Sequence, residues 1–347
     1  MKKTILILLL AVVVITSGYG LYILKNKNNK NVGSEISEIR IGHTVDSLTS
    51  AAVVIAYENG YFQKHNLQPK IVLLKNGKEV AQAMAAGQVD IGMGGIANFA
   101  PAMAKGAPMR FIAASAASPS YIFVRPDANI KNFSDLYGKT ISLQSNGIND
   151  LIFRTAMGQE KIDTKKMKFV EIERAFNVTA LMDKKVVDAA VVADQDVDMF
   201  LKAGAIILPE WVIAGYSKKA EPRNSVAVDS NFLNRHEVTV RNFLNAYIEA
   251  QRFIKENPEK AAITVADSIK KNSGGAVSRD PETIASQWQN KKTINMLWQD
   301  PAITMDLVHK SKEIGSIDKE LLLEDVYDLR FAKELKIAQE EIYGPEN

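Results

Sequence analysis

The residue types that most often carry catalysis or metal binding are few in this sequence, and their spacing fits neither task. There is no cysteine, so disulfides, thiolate metal sites and cysteine nucleophiles are excluded. The four histidines show no H-x-x-x-H or other ligand spacing. Gly138-Lys139-Thr140 looks like the end of a phosphate-binding loop, but Phe133 stands where the first glycine of that loop belongs. The sequence therefore predicts a protein that is not an enzyme and that holds no metal or cofactor.

A segment that occurs twice gives the elements that would position binding residues. Residues 79–107 and 177–205 align without a gap; matched positions are Val80 with Val178, Met84 with Met182, Val89-Asp90 with Val187-Asp188, and Gly106-Ala107 with Gly204-Ala205. Each copy is typical of a helix, a short buried strand and a second helix, the kind of connection that parallel strands need. The doubled unit predicts two similar lobes, and the crevice between such lobes is where a small ligand is expected.

Length and composition agree with a two-lobed globular body. The chain has 347 residues, of which 46% are hydrophobic and 24% are charged, as in soluble proteins with ordinary cores. The net charge is +3, from 43 basic and 40 acidic residues. Because the basic and acidic residues are nearly equal in number, there is no excess of positive charge to bind nucleic acid, and we expect no nucleic-acid partner.

The N-terminus predicts export. Lys2-Lys3 precede an apolar run from Thr4 to Leu24, which as a helix of about 31 Å just spans a bilayer. Cleavage near Ser17–Gly20 would release the body, whereas no cleavage would leave it anchored on the outer face. Lipidation is excluded, because Tyr19 stands where the acylated cysteine would be. The run continues beyond the small residues, which favours the uncleaved anchor.

The order of predicted elements divides the chain into four parts. Residues 1–37 are the signal or anchor helix followed by a polar tether. Residues 38–124 form the first part of lobe one, 125–216 form lobe two, and 217–347 return to lobe one and add C-terminal helices. These helices are predicted at 240–255, 258–271, 281–298 and 321–339. Two chain crossings between the lobes would let each lobe move as a rigid body.

Four stretches resemble the extracytoplasmic solute-binding proteins of ABC importers, in the group for nitrate, alkanesulfonates, taurine and thiamine-pyrimidine precursors. They are AYENGYFQKHNL at 56–67, AGQVDIG at 86–92, FSDLYGKTI at 133–141 and VDAAVVAD at 187–194. Their order and spacing over residues 38–260 carry the resemblance. It implies an α/β fold, a type II periplasmic-binding-protein clamshell in which each lobe is a mixed sheet flanked by helices, with two crossover strands. It also implies a monomer outside the cytoplasm, in the periplasm or on the outer face of the cell membrane.

The resemblance implies a function and a site as well. The lobes would capture a small polar or heteroaromatic solute and deliver it to an ABC permease in the membrane. The ligand would lie at helix starts, where free N–H groups and the helix dipole attract polar acceptors, and glycine lets the backbone approach closely. The residues concerned are Asp46, Ser47, Thr49, Gly94, Gly95, Asn98, Ser145, Asn146, Gly147, Asn149, Asp194 and Gln195, with Tyr216 stacking on a flat ring. Helix capping, turn geometry and hinge packing would explain the same residues without a ligand.

The sequence differs from the sulfonate-binding proteins of this group in two stretches, and both differences concern the ligand. Sulfonate binders of this group have a W-D-P-Y stretch, of which only Asp194 is kept, and a G-S-S-S-H-Y stretch, whose place Asn146–Asp150 hold. Carboxylates of Asp46 and Asp194 facing the ligand would favour a cationic or N–H-rich group over nitrate, with Arg125 and Arg154 as candidate counter-charges. Pyrimidine synthases of the same fold carry a cysteine-rich motif that is absent here. A membrane-tethered sensor with the same fold is the alternative function.

Overall fold

The computed structural model describes residues 37–46, 48–173, 176–183, 185–290 and 294–344. Within them, Glu38 onward belongs to one compact unit. The predicted signal or anchor lies outside the described residues. Of the helices that the structure does describe, none combines the length and the apolar character that crossing a bilayer needs.

The strands form two mixed sheets. They are β1 (Ser37–Thr44), β2 (Leu67–Leu74), β3 (Ile91–Gly94), β4 (Met109–Ser118), β5 (Ser120–Val124), β6 (Thr140–Ser142), β7 (Lys168–Val170), β8 (Ala189–Ala193), β9 (Ile206–Ile207), β10 (Glu221–Asp229) and β11 (Ile294–Asn295). The first sheet has the order β11-β4-β10-β3-β1-β2, and the second has the order β7-β6-β8-β5-β9. β1 pairs with β3 and β6 with β7 and β8 in parallel, whereas β10 and β5 run antiparallel to their neighbours. The predicted α/β fold of two mixed sheets flanked by helices is confirmed.

Helices cover both faces of the sheets. They are α1 (Ala51–Glu58), α2 (Tyr61–Lys64), α3 (Gly77–Ala85), α4 (Ile96–Ala104), α5 (Ile148–Gln159), α6 (Asn177–Met182), α7 (Val197–Lys202), α8 (Pro209–Ile213), α9 (Ser230–Arg235), α10 (Glu237–Glu256), α11 (Pro258–Asn272), α12 (Pro281–Gln289), α13 (Pro301–Glu313), α14 (Leu323–Val326) and α15 (Ala332–Tyr343). Short 3₁₀ turns at Leu48–Ser50 and Asp194–Asp196 precede α1 and α7.

Each sheet has an apolar core on both of its faces, because successive apolar residues of a strand point to opposite faces. On β10, Val226 and Val228 pack into one cluster with α1 and α10, whereas Ala227 packs into another with α3 and α4. β5 shows the same alternation, with Ile122 on one side and Phe123 on the other. Side chains of successive strand residues point to opposite faces, so a sheet covered on both sides needs apolar residues at every position.

The repeat folds as its pattern predicts. The first copy forms α3, β3 and α4, and the second forms α6, β8 and α7. Gly106 and Gly204, which are matched in the alignment, both have left-handed backbones, with φ of 87° and 85°. Each lies just after the second helix of its copy, where a left-handed residue ends a helix.

Two predicted C-terminal helices are wrong in extent. The helix predicted at 281–298 ends at Gln289, and Ile294–Asn295 form β11 on the open edge of β4. The helix predicted at 321–339 is divided between α14 and α15, because Tyr327 and Asp328 bind the backbone of Phe111 instead of continuing a helix. In both places an exposed strand edge offers backbone partners that local helical periodicity does not reveal.

The chain crosses between the sheets at two adjacent places. It leaves β4 at Ser118 and enters β5 at Ser120, and it returns through β10, where Glu221 pairs with Ser118. The strand Tyr121–Val124, which the sequence placed at the end of lobe one, is hydrogen-bonded to β8 and β9 of the second sheet. The two crossings therefore lie side by side.

Candidate functional site

The candidate ligand-binding residues of lobe one that the structure describes lie at the carboxyl ends of β1 and β3. Thr49 is buried in the 3₁₀ turn that follows β1, and its carbonyl oxygen accepts a hydrogen bond from the Ser115 hydroxyl. Gly94 ends β3, and Gly95 stands at the N-terminus of α4. Ser47 lies outside the described residues. The position of Thr49, Gly94 and Gly95 follows from the parallel pairing of β1 and β3, which brings their carboxyl ends to one edge.

The two glycines are required by packing within the protein. A Cβ on Gly95 would overlap the carbonyl oxygen of Arg223 on β10, and a Cβ on Gly94 would overlap the ring of Phe99. The close backbone approach that the sequence assigned to a ligand is therefore already made by β10 at Gly95.

The candidates of lobe two lie at the start of α5. Gly147 is the residue that precedes the helix, and Asn146 has a left-handed backbone with φ of 59°. The backbone N–H of Asn146 donates to Asp150 at 2.9 Å, and that of Ser145 donates to Glu171 at 3.0 Å. These contacts use the backbones of Ser145 and Asn146, so they do not show capping by either side chain, and both side chains are exposed.

Polar contacts join candidates of the two lobes. The Asn98 side-chain amide on α4 donates to the carbonyl oxygen of Asn146 at 3.3 Å. The backbone N–H of Leu48 donates to Oε1 of Gln195 at 3.2 Å. These residues line one interlobe face, which we define as Leu48–Ser50 and the starts of α4, α5 and α7, together with residues 278–287.

Arg223 on β10 connects this face to the crossings, and sequence reasoning missed it. Its buried guanidinium donates from Nε to Ser118, from Nη2 to Pro119 and Ser120, and from Nη1 to Oδ1 of Asn149 at 2.7 Å. It thus ties the returning strand to the first crossing and to the start of α5. The local sequence gave no signal for its burial, because Glu221, Asn224 and Ser225 around it are polar as well.

Asp194 begins the 3₁₀ turn before α7 and is almost completely buried. Tyr121 on β5 forms a hydrogen bond with it, and burial together with the charge of Asp194 raises the pKa of the Tyr121 hydroxyl well above its usual range. Asp194 is therefore engaged by a protein group. Its carboxylate makes this region acidic next to the guanidinium of Arg223, which lowers the same pKa.

A second arginine that the sequence did not single out joins the lobes. Arg279 Nε donates to Oδ1 of Asp46 at 2.8 Å, and its Nη2 lies 2.5 Å from Oδ2 of Asp46 and 3.0 Å from Oδ1 of Asp196. Burial lowers the pKa of Arg279, but the charges of Asp196 and Asp46 outweigh that effect and raise it. The counter-charge to Asp46 is therefore a group of the protein itself.

The arginines proposed from the sequence lie elsewhere. Arg125 pairs with Asp127 at 3.0 Å and with Asp188 at 3.4 Å. Arg154 pairs with Asp150 at 2.5 Å, and its guanidinium stacks over the ring of Phe169. Both pairings stay within lobe two and support its fold.

Two cavities lie along the lobe boundary, and they separate Tyr216 from the other candidates. One cavity, of about 140 Å³, is lined by Leu48, Gln195, Asp198, Met199, Lys202, Ser278, Arg279, Asp280, Thr283, Ile284 and Gln287. Tyr216 lines the other cavity, of about 70 Å³, together with residues of α5 and α13. Its ring packs 4.7 Å from that of Trp211, and burial and Glu160 raise its pKa to about 12. Among the described residues, no cluster of three or more histidine or acidic side chains could hold a metal.

Two mixed sheets, two adjacent crossings and a polar face between the lobes define the two-lobed fold of periplasmic binding proteins. Within this fold, the chain belongs to the NMT1/THI5-like family, whose model matches residues 48–261. A Brucella abortus (strain 2308) protein with the name "Putative binding protein" is 24% identical over 241 residues, which are 67% of this chain and 72% of that protein.

Solved structures support the same fold. The periplasmic aliphatic sulphonate-binding protein SsuA of Escherichia coli superposes with a TM-score of 0.67 at 16% identity, covering 84% of this chain and 92% of that one. The periplasmic nitrate-binding protein NrtA of Synechocystis PCC 6803 also gives 0.67, at 13% identity, covering 90% and 92%. The predicted family resemblance and two-lobed fold are confirmed by these comparisons.

Proposed function

We propose that this protein is the extracytoplasmic solute-binding component of an ABC-type importer. It captures a small polar or heteroaromatic solute of the nitrate, sulfonate or pyrimidine-like class between its lobes and delivers it to a membrane permease. In this proposal lobe one comprises residues 38–124 and 217–347, and lobe two comprises 125–216, except that β5 packs with lobe two. The N-terminal segment exports the body and holds it outside the cytoplasm as a monomer.

The supporting observation is the way in which the lobes meet. In the described residues they are connected covalently by two crossings that lie side by side, Ser118–Ser120 and Glu221–Arg223. Away from this connection, the lobes meet through polar pairs such as Arg279 with Asp196 and Leu48 with Gln195, and through an apolar contact of Leu151 on α5 with the core of lobe one. Polar pairs can exchange for water or solute contacts when lobes open, whereas a large apolar interface would hold them shut. A solute that binds better between closed lobes than to open ones shifts this equilibrium toward closure.

The family and the named functions of related proteins support the same proposal. The sulphonate-binding and nitrate-binding proteins described above share the fold, and the family model covers most of both lobes. The site candidates at the interlobe face, Asp46, Thr49, Asn98, Asn149 and Gln195 among them, are the groups that we expect to surround the solute.

A ligand panel on the full-length protein in mild detergent tests the proposal. Nitrate, taurine, alkanesulfonates and aminopyrimidines would be added to protein freed of bound solute, and the melting temperature measured. Binding to the folded state alone raises the melting temperature with increasing solute concentration. A dose-dependent rise with one class, accompanied by a smaller radius of gyration in solution scattering, supports solute capture by closure. No rise with any class, from folded protein, contradicts it and favours the tethered sensor.

A further inference from the structure

The 140 Å³ cavity at the interlobe face has room for a solute. A single water molecule needs only about 10–15 Å³ by the same kind of measure, so this space exceeds that of one or two waters. Lobe two contributes Gln195 and one side of α7 to its walls, and lobe one contributes Leu48 and residues 278–287. A solute in this cavity would touch both lobes, as closure requires.

Gln287 lines this cavity, and its side chain carries a buried acceptor. Only 2% of the residue is exposed, and its side-chain amide nitrogen donates to Oδ2 of Asp198 at 3.2 Å. That contact fixes the orientation of the amide, because an oxygen turned toward a carboxylate would be repelled. The other amide atom, Oε1, is buried and accepts no hydrogen bond from the described residues. Buried carbonyl oxygens nearly always have a donor, so this position calls for one from a bound molecule.

Arg279 leaves a complementary donor on the same cavity. Its Nε and Nη2 are engaged by Asp46 and Asp196, whereas within the described part of the chain Nη1 contacts only the Met199 sulfur, at 3.3 Å. A thioether is a weak acceptor. Nη1 can therefore donate to a better acceptor on a solute, while the charge of Arg279 is already matched by two carboxylates.

The charged groups around the cavity disfavour an anion, because the carboxylates, with Asp46 and Asp196 on Arg279 included, outnumber the cations. Asp198 and Asp280 are the acidic lining residues, and Lys202 and Arg279 are the basic ones. Lys202 lies 3.9 Å from Asp280, and Arg279 binds Asp46 and Asp196. An anion at Nη1 would meet a guanidinium whose charge two carboxylates already match, and it would lie near Asp198, so it would gain little net electrostatic attraction.

We propose that this cavity is the solute subsite and that Gln287 determines its specificity for an uncharged solute whose N–H or O–H group donates to Oε1, with an acceptor that meets Arg279. A carboxamide or an amino-substituted heterocycle has this chemistry, and nitrate and sulfonates do not. The inference rests on the proposed function and narrows it to the uncharged members of the solute class.

The test compares matched uncharged and anionic probes on the full-length protein. Nicotinamide and cytosine are the uncharged donors, and nicotinate, nitrate and ethanesulfonate are the anions. Wild type, Q287M and the control Q251M would be measured by thermal shift and calorimetry. Gln251 is equally buried, but its amide is bound within lobe one by Tyr247 and Tyr343. We expect an uncharged probe to stabilise wild type and Q251M, with a Kd about tenfold or more weaker in Q287M.

Each other outcome has a definite meaning. Stabilisation by anions alone overturns the uncharged specificity but leaves solute binding intact. An uncharged probe that binds Q287M as tightly as wild type overturns the role of Gln287. No response to any probe, in folded protein, contradicts this inference and the proposed function together. If Q287M does not fold, Q287N retains an amide but withdraws its oxygen, and the same tenfold loss is expected.

Discussion

Nη2 of Arg279 lies 3.0 Å from Oδ1 of Asp196, and this ion pair bridges the two lobes. Arg279 belongs to the segment between α11 and α12, whereas Asp196 precedes α7 in lobe two. Both side chains are nearly inaccessible to solvent, with 6% and 5% of their surfaces exposed. Asp46 binds the same guanidinium from lobe one. The pair therefore favours the closed arrangement, and Arg279 retains one carboxylate partner when the lobes separate.

Removal of the Asp196 charge should destabilise the closed arrangement of the lobes more than it destabilises the fold of either lobe. We expect D196N to lower the free energy of unfolding by about 2 kcal/mol, because a buried charge loses one of its two partners. We also expect a larger radius of gyration in solution scattering. D127N is the control, since Asp127 pairs with Lys185 and Arg125 on an exposed surface, where ion pairs contribute little to stability. Equal effects of D196N and D127N on both measurements would contradict the bridging role.

Gly95 should tolerate no side chain. G95A places a methyl group against the Arg223 carbonyl, so β10 or α4 must move, at a cost of about 2 kcal/mol in urea unfolding. Gly158 is the matched control, because it lies inside α5 with open space around its Cα. G158A should stabilise the protein by about 0.5–1 kcal/mol through helix propensity. A neutral G95A would show that the approach of β10 is not tight.

Arg223 should hold the crossings in place. R223M removes the hydrogen bonds to Ser118, Ser120 and Asn149 and leaves buried acceptors without donors. We expect a loss of about 3 kcal/mol in the free energy of unfolding, because several buried partners lose their donor at once. Hydrogen exchange should become faster at residues 118–120 and at the start of α5. R154M changes an arginine outside the crossings, and unchanged exchange at 118–120 in that variant is the control. Equal exchange in R223M and wild type would contradict the prediction.

His43 should make stability depend on pH. Burial lowers its pKa, more than the hydrogen bond between Nδ1 and the Thr44 carbonyl raises it. The unfolded chain therefore binds a proton near pH 6.5 while the folded protein does not, and stability falls as the pH drops below about 6.5. The slope can reach about 1.4 kcal/mol per pH unit. We expect H43N to flatten the unfolding profile between pH 6.5 and 5.

The control for that profile is H309N, since more than half of the His309 side chain is exposed. It should leave the slope unchanged in the same pH range. A slope that persists in H43N would assign the pH dependence to other groups.

The internal repeat carried much of the fold information in the sequence. Asp90 and Asp188, matched by the alignment, play the same part in both lobes: Asp90 accepts from the backbone N–H of Arg40 at 2.8 Å, and Asp188 from that of Thr140 at 2.9 Å. Each ties its copy to a neighbouring parallel strand. The helices, strands and left-handed glycine of each copy follow from the local pattern, because they are properties of neighbouring residues, whereas the two aspartate contacts span 50 and 48 residues.

The elements that sequence reasoning misjudged are those that tertiary contacts decide. β11 exists because β4 leaves an edge open, and α14 ends where Asp328 binds Phe111. The helical periodicity of 281–298 and 321–339 contains no information about either partner. Tyr216, near a crossing in the sequence, packs on Trp211 away from the interlobe face.

The sequence by itself determined the two α/β units, the family and the loops that meet between the lobes. Only the tertiary structure decided which charges those loops meet. Arg279 lies 233 residues from Asp46 in the sequence, and Arg223 lies 74 residues from Asn149, yet each pair is within hydrogen-bonding distance. A charged side chain in a local pattern predicts solvent exposure or a nearby partner, whereas a buried arginine is stabilised by carboxylates and carbonyls that only the return of the chain brings to it.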